Sequence, residues 1–195
     1  MTTFTPQTEA RLRWAFKQFN HFMLLLWRLG LGNWGNPTRW GGQVMVITHI
    51  GRKSGQRRRT PVNYALIQGD VYCTAGFGRI SDWYRNIQTN PQVELWLPDG
   101  WWEGIAADVT DEPDRLPRLR AVILASGFAG PLFGVDARGL SDDDLAQVTG
   151  NYRLIRIQRT AARTGPGGPG DLAWVWPALL LGGLFRRLIR PKRRR

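Results

Sequence analysis

Cysteine and histidine are scarce in this sequence of 195 residues, which contains one cysteine and two histidines. A single thiol, Cys73, excludes an intramolecular disulfide and a metal cluster built from cysteines. His21 and His49 are far apart, and neither belongs to a His-x-x-x-His or Glu-x-x-His pattern. The sequence therefore predicts no metal site. It indicates a reducing, cytoplasmic setting, in which Cys73 is a buried and inert thiol.

Several common signatures are missing as well. No Gly-x-Gly-x-x-Gly segment follows a strand-like run, which argues against a dinucleotide-binding Rossmann sheet. No Ser/His/Asp arrangement for nucleophilic catalysis is visible. The apolar run 22–27 lacks a basic segment before it and a small-residue cleavage site after it, so it does not predict a secretory signal.

Acidic residues are few relative to basic ones, 15 against 27, which gives a net charge of +12. Such a charge predicts an anionic partner. Five cations lie within residues 52–59 and seven within residues 186–195, so two anionic partners are expected rather than one. Binding to nucleic acid is a less favoured explanation of the positive charge. The ten tryptophans lie mostly in apolar contexts, and we predict no nucleic acid as a partner.

Short β-rich runs separated by turn residues dominate the middle of the chain. They predict strands at residues 44–50, 60–68, 71–75, 92–97, 101–109 and 151–158, with helices at 7–31, 82–89 and 114–126. Six short strands without regular strand–helix alternation favour a small barrel, a mainly β (α+β) fold with flanking helices. We expect four parts: an amphipathic helix in 1–36, a barrel in 37–160, a Gly/Pro linker in 161–170 and a tail in 171–195.

The predicted turn between the first two strands, residues 48–61, combines two glycines and a serine with five cations. Glycines allow close backbone approach, and exposed N–H groups beside cationic side chains form an anion cradle. A solvated hairpin turn explains the same composition. Residues alone leave both interpretations open.

Gly51-Arg52-Lys53-Ser54-Gly55, followed by Arg58 and Pro61, resembles a motif of the deazaflavin (F420)-dependent nitroreductases, also described as F420H2-dependent quinone reductases. Trp83-Tyr84-Arg85-Asn86-Ile87 and the later Asn90-Pro91-Gln92-Val93 resemble a second motif of that family. The resemblance covers roughly residues 45–109 and implies a split β-barrel that binds coenzyme F420, with FMN as the alternative.

The resemblance also implies the positions of the cofactor. Its phosphate falls on Lys53 and Arg58, with Arg52, Ser54 and Gly55 beside them, and its ring on Ala75, Gly76 and Phe77, with Trp83 as a wall. Tyr84 and Asn86 are expected to brace the short helix. Arg57 and Arg59 match no motif position and are expected to be solvated. The chemistry implied is hydride transfer to an acceptor, for which the protein supplies position and electrostatics.

The substrate half of the sequence departs from the family pattern. Asn63 stands where a tyrosine is expected, Tyr64 follows it, and the segment 127–133 replaces a tyrosine-rich one. Tyr64 and Asn63 are therefore candidate catalytic residues, and Trp83, Asn63, Phe128 and Phe133 are candidate substrate-pocket residues. A quinone-like, apolar acceptor fits better than a nitroimidazole. A binding protein for F420, flavin or haem without turnover is the alternative, and a homodimer is left open.

The tail contains fourteen uncharged residues, 172–185, followed by the polybasic end. As a helix this run would extend about 21 Å, short of the roughly 30 Å of membrane hydrocarbon. An apolar segment with a polybasic end favours peripheral attachment to the inner face of the cell membrane. A membrane span and a helix packed on the barrel are the other two interpretations.

Overall fold

A computed structural model describes residues 18–32, 42–127, 130 and 135–189. Its centre is a closed barrel of six antiparallel strands. In chain order these are β1 (Val44–Ile50), β2 (Arg57–Ile67), β3 (Asp70–Ala75), β4 (Gln92–Leu97), β5 (Gly100–Asp108) and β6 (Arg153–Ala162). Around the barrel the order is β1-β2-β3-β6-β5-β4, and β1 pairs with β4 to close the sheet. The predicted mainly β barrel is confirmed.

Side chains alternate between the barrel interior and two outer clusters of buried residues. On β1, Met45 and Ile47 belong to the interior core, whereas Val46 packs outward. On β3, Cys73 points to the interior and Tyr72 to an outer cluster. This two-residue period is what sheet geometry requires of a barrel with a filled interior. Cys73 is fully buried, as predicted, and burial raises the pKa of its thiol to about 12.

Among the described residues, five helical stretches of seven residues or more flank the barrel. They are α1, whose described part is 18–28, α2 (Asp82–Thr89), α3 (Arg115–Ala125), α4 (Asp142–Val148) and α5 (Val175–Ile189). α3 and α4 cover the outer side of β2 and β3 through Leu119, Val122 and Leu145. α1 covers Val46, Trp96 and Trp101 through Trp27 and Leu24.

The Gly/Pro segment does not separate the barrel from the tail as a free linker. β6 extends to Ala162, and the chain then lies against the barrel and α1. Arg59 donates to the Gly167 carbonyl oxygen, Gly170 N–H donates to Trp27 at 2.9 Å, and Arg28 forms an ion pair with Asp171 at 2.9 Å. Long-range contacts of this kind fix a segment whose composition alone predicts flexibility.

The tail helix begins on α1 and then loses contact with it. Trp176 Nε1–H donates to the Leu29 carbonyl oxygen at 2.9 Å. Beyond that point, Leu179, Leu180 and Leu181 are 63%, 70% and 68% exposed. The interpretation of the tail as a helix packed on the barrel therefore fails for these residues. Among the described helices, none combines the length and the hydropathy that crossing a membrane requires.

Candidate cofactor-binding site

The connection between β1 and β2 is a tight turn, residues 51–56, which we call the basic loop. The Gly51 carbonyl oxygen accepts hydrogen bonds from Ser54 N–H at 3.2 Å and Gly55 N–H at 2.8 Å, and Gly51 N–H donates to Gln56 at 2.9 Å. Gly55 has φ +65°, a left-handed conformation that glycine adopts without strain. The loop is therefore shaped by its own backbone.

The strand after the loop begins earlier than predicted, at Arg57 instead of Thr60, because Arg57, Arg58 and Arg59 pair with β1. Because successive side chains of a strand point to opposite faces of the sheet, Arg58 faces away from the side on which Arg57 and Arg59 lie. Arg57 forms an ion pair with Glu94 at 2.5 Å. Arg59 lies over the Trp96 ring, 4.6 Å from its centre. The expectation that Arg57 and Arg59 are merely solvated is wrong.

Arg52 joins the basic loop to α2. Its guanidinium donates to Asn86 Oδ1 at 3.0 Å and to Asp82 Oδ1 at 2.9 Å, and its backbone N–H donates to the same Asn86 oxygen at 3.1 Å. The predicted bracing role of Asn86 is thus visible, and the two sequence motifs form one physical unit. Arg52, predicted to contact the cofactor, has much of its hydrogen-bonding capacity committed to α2.

The other predicted phosphate ligands face solvent. Lys53, Ser54, Gly55 and Arg58 are all exposed. Among the residues that the structure describes, none forms an ion pair with the Lys53 ammonium or the Arg58 guanidinium. A β-carbon added to Gly51 would lie 2.8 Å from Ser54 Oγ and 2.9 Å from Arg58 Nε. The Ser54 hydroxyl and the Arg58 guanidinium thus lie together over Gly51, which has no side chain. These two donors suit a phosphate group.

The proposed ring position lies at the end of β3, on the segment that leads into α2. Ala75 is buried, whereas Gly76 and Phe77 are exposed. The nearest atoms to a β-carbon on Gly76 would be those of the Tyr152 side chain, at 3.7–3.9 Å. Gly78, two residues on, has φ +61°, and a β-carbon there would clash with the Asn151 carbonyl oxygen. This edge of the barrel is therefore open at Gly76 and closed at Gly78.

Trp83 is partly buried and packs against the barrel interior, one residue after Asp82 of the Arg52 contact. Its neighbour Tyr84 is buried, and its hydroxyl donates to Asp108 at 2.5 Å, which fixes α2 to β5 as the bracing prediction requires. α2 thus carries Trp83 next to Asp82, which contacts Arg52 of the basic loop, and a few residues after the β3 edge.

Asn63 and Tyr64, the candidate catalytic residues, are adjacent on β2 and so face opposite sides of the sheet. Tyr64 lies in the barrel interior, and burial raises the pKa of its phenol to about 12, which keeps it protonated at neutral pH. Asn63 Nδ2–H donates to the Gln43 carbonyl oxygen at 3.2 Å. Gln43 N–H in turn donates to Ala125 at the end of α3, so Asn63 lies near the start of the predicted substrate segment. Phe128 and Phe133 of that segment lie outside the described residues.

Sequence reasoning missed His49, Tyr152 and α4. His49 lies in the predicted strand 44–50, but the sequence assigned it no contact; it is buried on β1 and hydrogen-bonded to Asn86. Ser141 accepts from Asp144 N–H as the cap of α4, and the run Ser141-Asp142-Asp143-Asp144 carries that capping signal in the sequence. Nothing local in the sequence marks the approach of Tyr152 to Gly76.

A closed antiparallel barrel with a basic loop between its first two strands defines a cofactor-binding split-barrel protein. A model of the F420H(2)-dependent quinone reductases matches residues 29–129, just over half of the chain. The chain belongs to this F420H(2)-dependent quinone reductase family. It is therefore an F420-dependent oxidoreductase by family, and coenzyme F420 is the family's cofactor, as predicted from the motifs.

Solved structures that are similar to this chain are distant in sequence. A conserved hypothetical protein from Mycobacterium tuberculosis is 22% identical, with 63% of this chain and 74% of that chain covered and a TM-score of 0.43. An F420-H2 dependent reductase is 16% identical, with coverages of 60% and 94% and a TM-score of 0.44. The heme storage protein HutZ from Vibrio cholerae is 15% identical, with coverages of 68% and 92% and a TM-score of 0.42.

Proposed function

We propose that this protein binds reduced coenzyme F420 and reduces a quinone-like, apolar acceptor. The observation that carries the proposal is the exposure of Lys53 in the basic loop and of Arg58 at the start of β2, where Ser54 Oγ and Arg58 Nε lie over the Gly51 backbone. Charge-assisted hydrogen bonds from such groups are the strong ones that phosphate oxygens accept. When bound, F420 supplies a hydride from its deazaflavin ring.

Side chains of this protein hold the basic loop in place, border the ring and orient the acceptor. Arg52 holds the basic loop against α2, so that Lys53 and Arg58 meet the phosphate without first ordering the turn. Ala75, Gly76 and Phe77 offer a flat edge for the ring, and Trp83 borders it. Asn63, an amide near the start of the segment 127–133, is the candidate for orienting the acceptor, whereas Tyr64, a protonated phenol inside the barrel, faces the other side of the sheet.

The test is to mix the purified protein with F420, FMN and haem, and then to follow oxidation of F420H2 in the presence of menadione. We expect F420 to bind more tightly than FMN or haem, and menadione to be reduced only when F420H2 is present. Tight binding without turnover would support the alternative of a cofactor-binding protein. No binding of F420 would refute the proposal.

We further propose that the tail attaches the protein to the cytoplasmic face of an anionic membrane, close to membrane quinones. Leu179–Leu181 and Phe185 are exposed apolar side chains on α5, and Phe19, Phe22 and Leu25 are exposed on α1, which contacts the root of the tail. Trp174 and Trp176 are also exposed, and indole rings favour the water–lipid boundary. The cations that follow Phe185 complement anionic headgroups.

Removing residues 178–195 is expected to abolish sedimentation with anionic liposomes at low salt, because both the apolar and the basic signals are lost. This truncation keeps Asp171 and Trp176, which hold the start of the tail, residues 171–176, against Arg28 and Leu29. The full chain should bind at low salt and bind less at high salt, since about 1 kcal/mol per surface cation is screened.

As a matched control, Leu66→Glu changes another exposed leucine, on the barrel strand β2, and should leave liposome binding intact. The double variant Leu180→Glu/Leu181→Glu should bind as weakly as the truncated chain. Equal sedimentation of the full and truncated chains would contradict the membrane proposal.

A further inference from the structure

A buried chain of hydrogen bonds runs from β2 through β1 and α2 to the basic loop. His49, on β1, is 2% exposed. Its Nε2 lies 3.1 Å from Thr60 Oγ1 on β2, and its Nδ1 lies 3.1 Å from Asn86 Nδ2 on α2. Asn86 Oδ1 then accepts both the backbone N–H and the guanidinium of Arg52. This series of hydrogen bonds ends at the basic loop, which carries Lys53.

The donors and acceptors in this series of hydrogen bonds determine the orientation of the Asn86 amide and the tautomer of His49. Arg52 offers only N–H donors at these two contacts, so the Asn86 atom facing it must be the oxygen. The Asn86 amide nitrogen therefore faces His49 and donates to it, which requires an unprotonated Nδ1. The ring proton then lies on Nε2 and is donated to Thr60 Oγ1.

The surroundings of His49 keep the ring neutral. Burial is the largest influence and lowers its pKa to about 4, and the nearby Arg58 of β2 acts in the same direction. Asp82 of α2 opposes this shift but is the smaller influence. At neutral pH the Nδ1 lone pair is thus available to accept from Asn86.

We propose that His49 is a positioning residue for the cofactor loop: its Nδ1 fixes the Asn86 amide, and the amide oxygen then holds Arg52 and with it the basic loop. The loop needs such support because residues 53–56 are exposed and its internal hydrogen bonds tie it only to itself, through its backbone and Ser54 Oγ. The identity of the loop's ligand rests on the proposed function, whereas the hydrogen-bond chain does not.

The test compares two variants of the same shape, His49→Asn and His49→Leu. The asparagine oxygen can occupy the position of Nδ1 and accept from Asn86, whereas leucine offers no acceptor and leaves a buried donor unpaired. We expect His49→Leu to raise the Kd for F420 about tenfold. His49→Asn should stay within about threefold of the parent, and kcat at saturating F420H2 should be unchanged in both.

A second measurement needs no cofactor and separates the two proposals. Amide hydrogen exchange at Arg52 should accelerate in His49→Leu but not in His49→Asn, and ¹⁵N spectra of the parent should show the proton on Nε2. If the parent fails to bind F420, the proposed function falls, while exchange and the tautomer still judge the role of His49. A proton on Nδ1, or equal Arg52 exchange in all three proteins, overturns the inference.

Discussion

Replacing Gly76 with valine is expected to abolish F420-dependent turnover in a protein that still folds. Gly76 is exposed, and the nearest atoms to a β-carbon there would be those of the Tyr152 side chain, at an ordinary contact distance of 3.7 Å or more. A branched side chain on this open edge would occupy the surface assigned to the ring. Displacing a reacting group by about 1 Å can cost roughly 100-fold, so a loss of at least this size is expected in kcat/KM for menadione reduction.

Two other glycines serve as controls for this variant. Gly139 has open space around its Cα, so Gly139→Val should leave turnover unchanged. Gly78→Ala should instead destabilise the fold, because Gly78 has φ +61° and contacts the Asn151 backbone closely. A lower Tm in Gly78→Ala but not in Gly76→Val would separate stability from site blockage. Parental turnover in Gly76→Val would place the ring elsewhere.

Removing either cation of the phosphate position is expected to weaken F420 binding by about 1.5–3 kcal/mol, the usual contribution of a hydrogen bond to a charged group. The variants are Lys53→Ala and Arg58→Ala, and fluorescence titration gives the Kd. Thermal unfolding should be little changed, because both side chains are exposed. The loss should shrink at high salt, since exposed charges are screened.

Arg57→Ala is the matched control for these two variants. Arg57 neighbours Arg58 on β2 but forms its ion pair with Glu94, on the other side of the strand. An exposed pair of this kind contributes about 0–1 kcal/mol to stability, and its removal should not change the Kd. If Arg57→Ala weakens binding as much as Arg58→Ala, general positive charge rather than a phosphate position holds the cofactor.

Much of the barrel could be predicted from the sequence because its signals are local. β-branched residues mark β1, Gly69-Asp70 and Asp99-Gly100 mark two hairpins, and Asn90-Pro91 ends α2. The alternation of β6 is obscured by arginines on both faces, yet the strand was found, and its end lies four residues later, at Ala162. Strand existence is set by short-range chemistry, whereas strand ends depend on the partner strand.

The site itself was predicted only in its positions along the chain. The motifs gave Lys53 on the loop, Arg58 at the start of β2 and Gly76 at the β3 edge as candidate positions, but the contacts of Arg52 and His49 span more than 30 residues. Such contacts arise when the barrel brings β1 and α2 together, and no local pattern encodes them. The fixed position of the Gly/Pro segment could not be predicted for the same reason, because the residues that hold it lie far away in sequence, on α1 and β2.

The order of strands has a consequence for how the protein is made. β6 is last in the sequence, yet it pairs with both β3 and β5. A nascent chain that ends before Arg153 therefore exposes two unpaired strand edges, which are templates for aggregation until synthesis supplies the missing strand. Premature stop codons in the segment 109–152 should yield insoluble products, while those after Ala162 spare the sheet pairings.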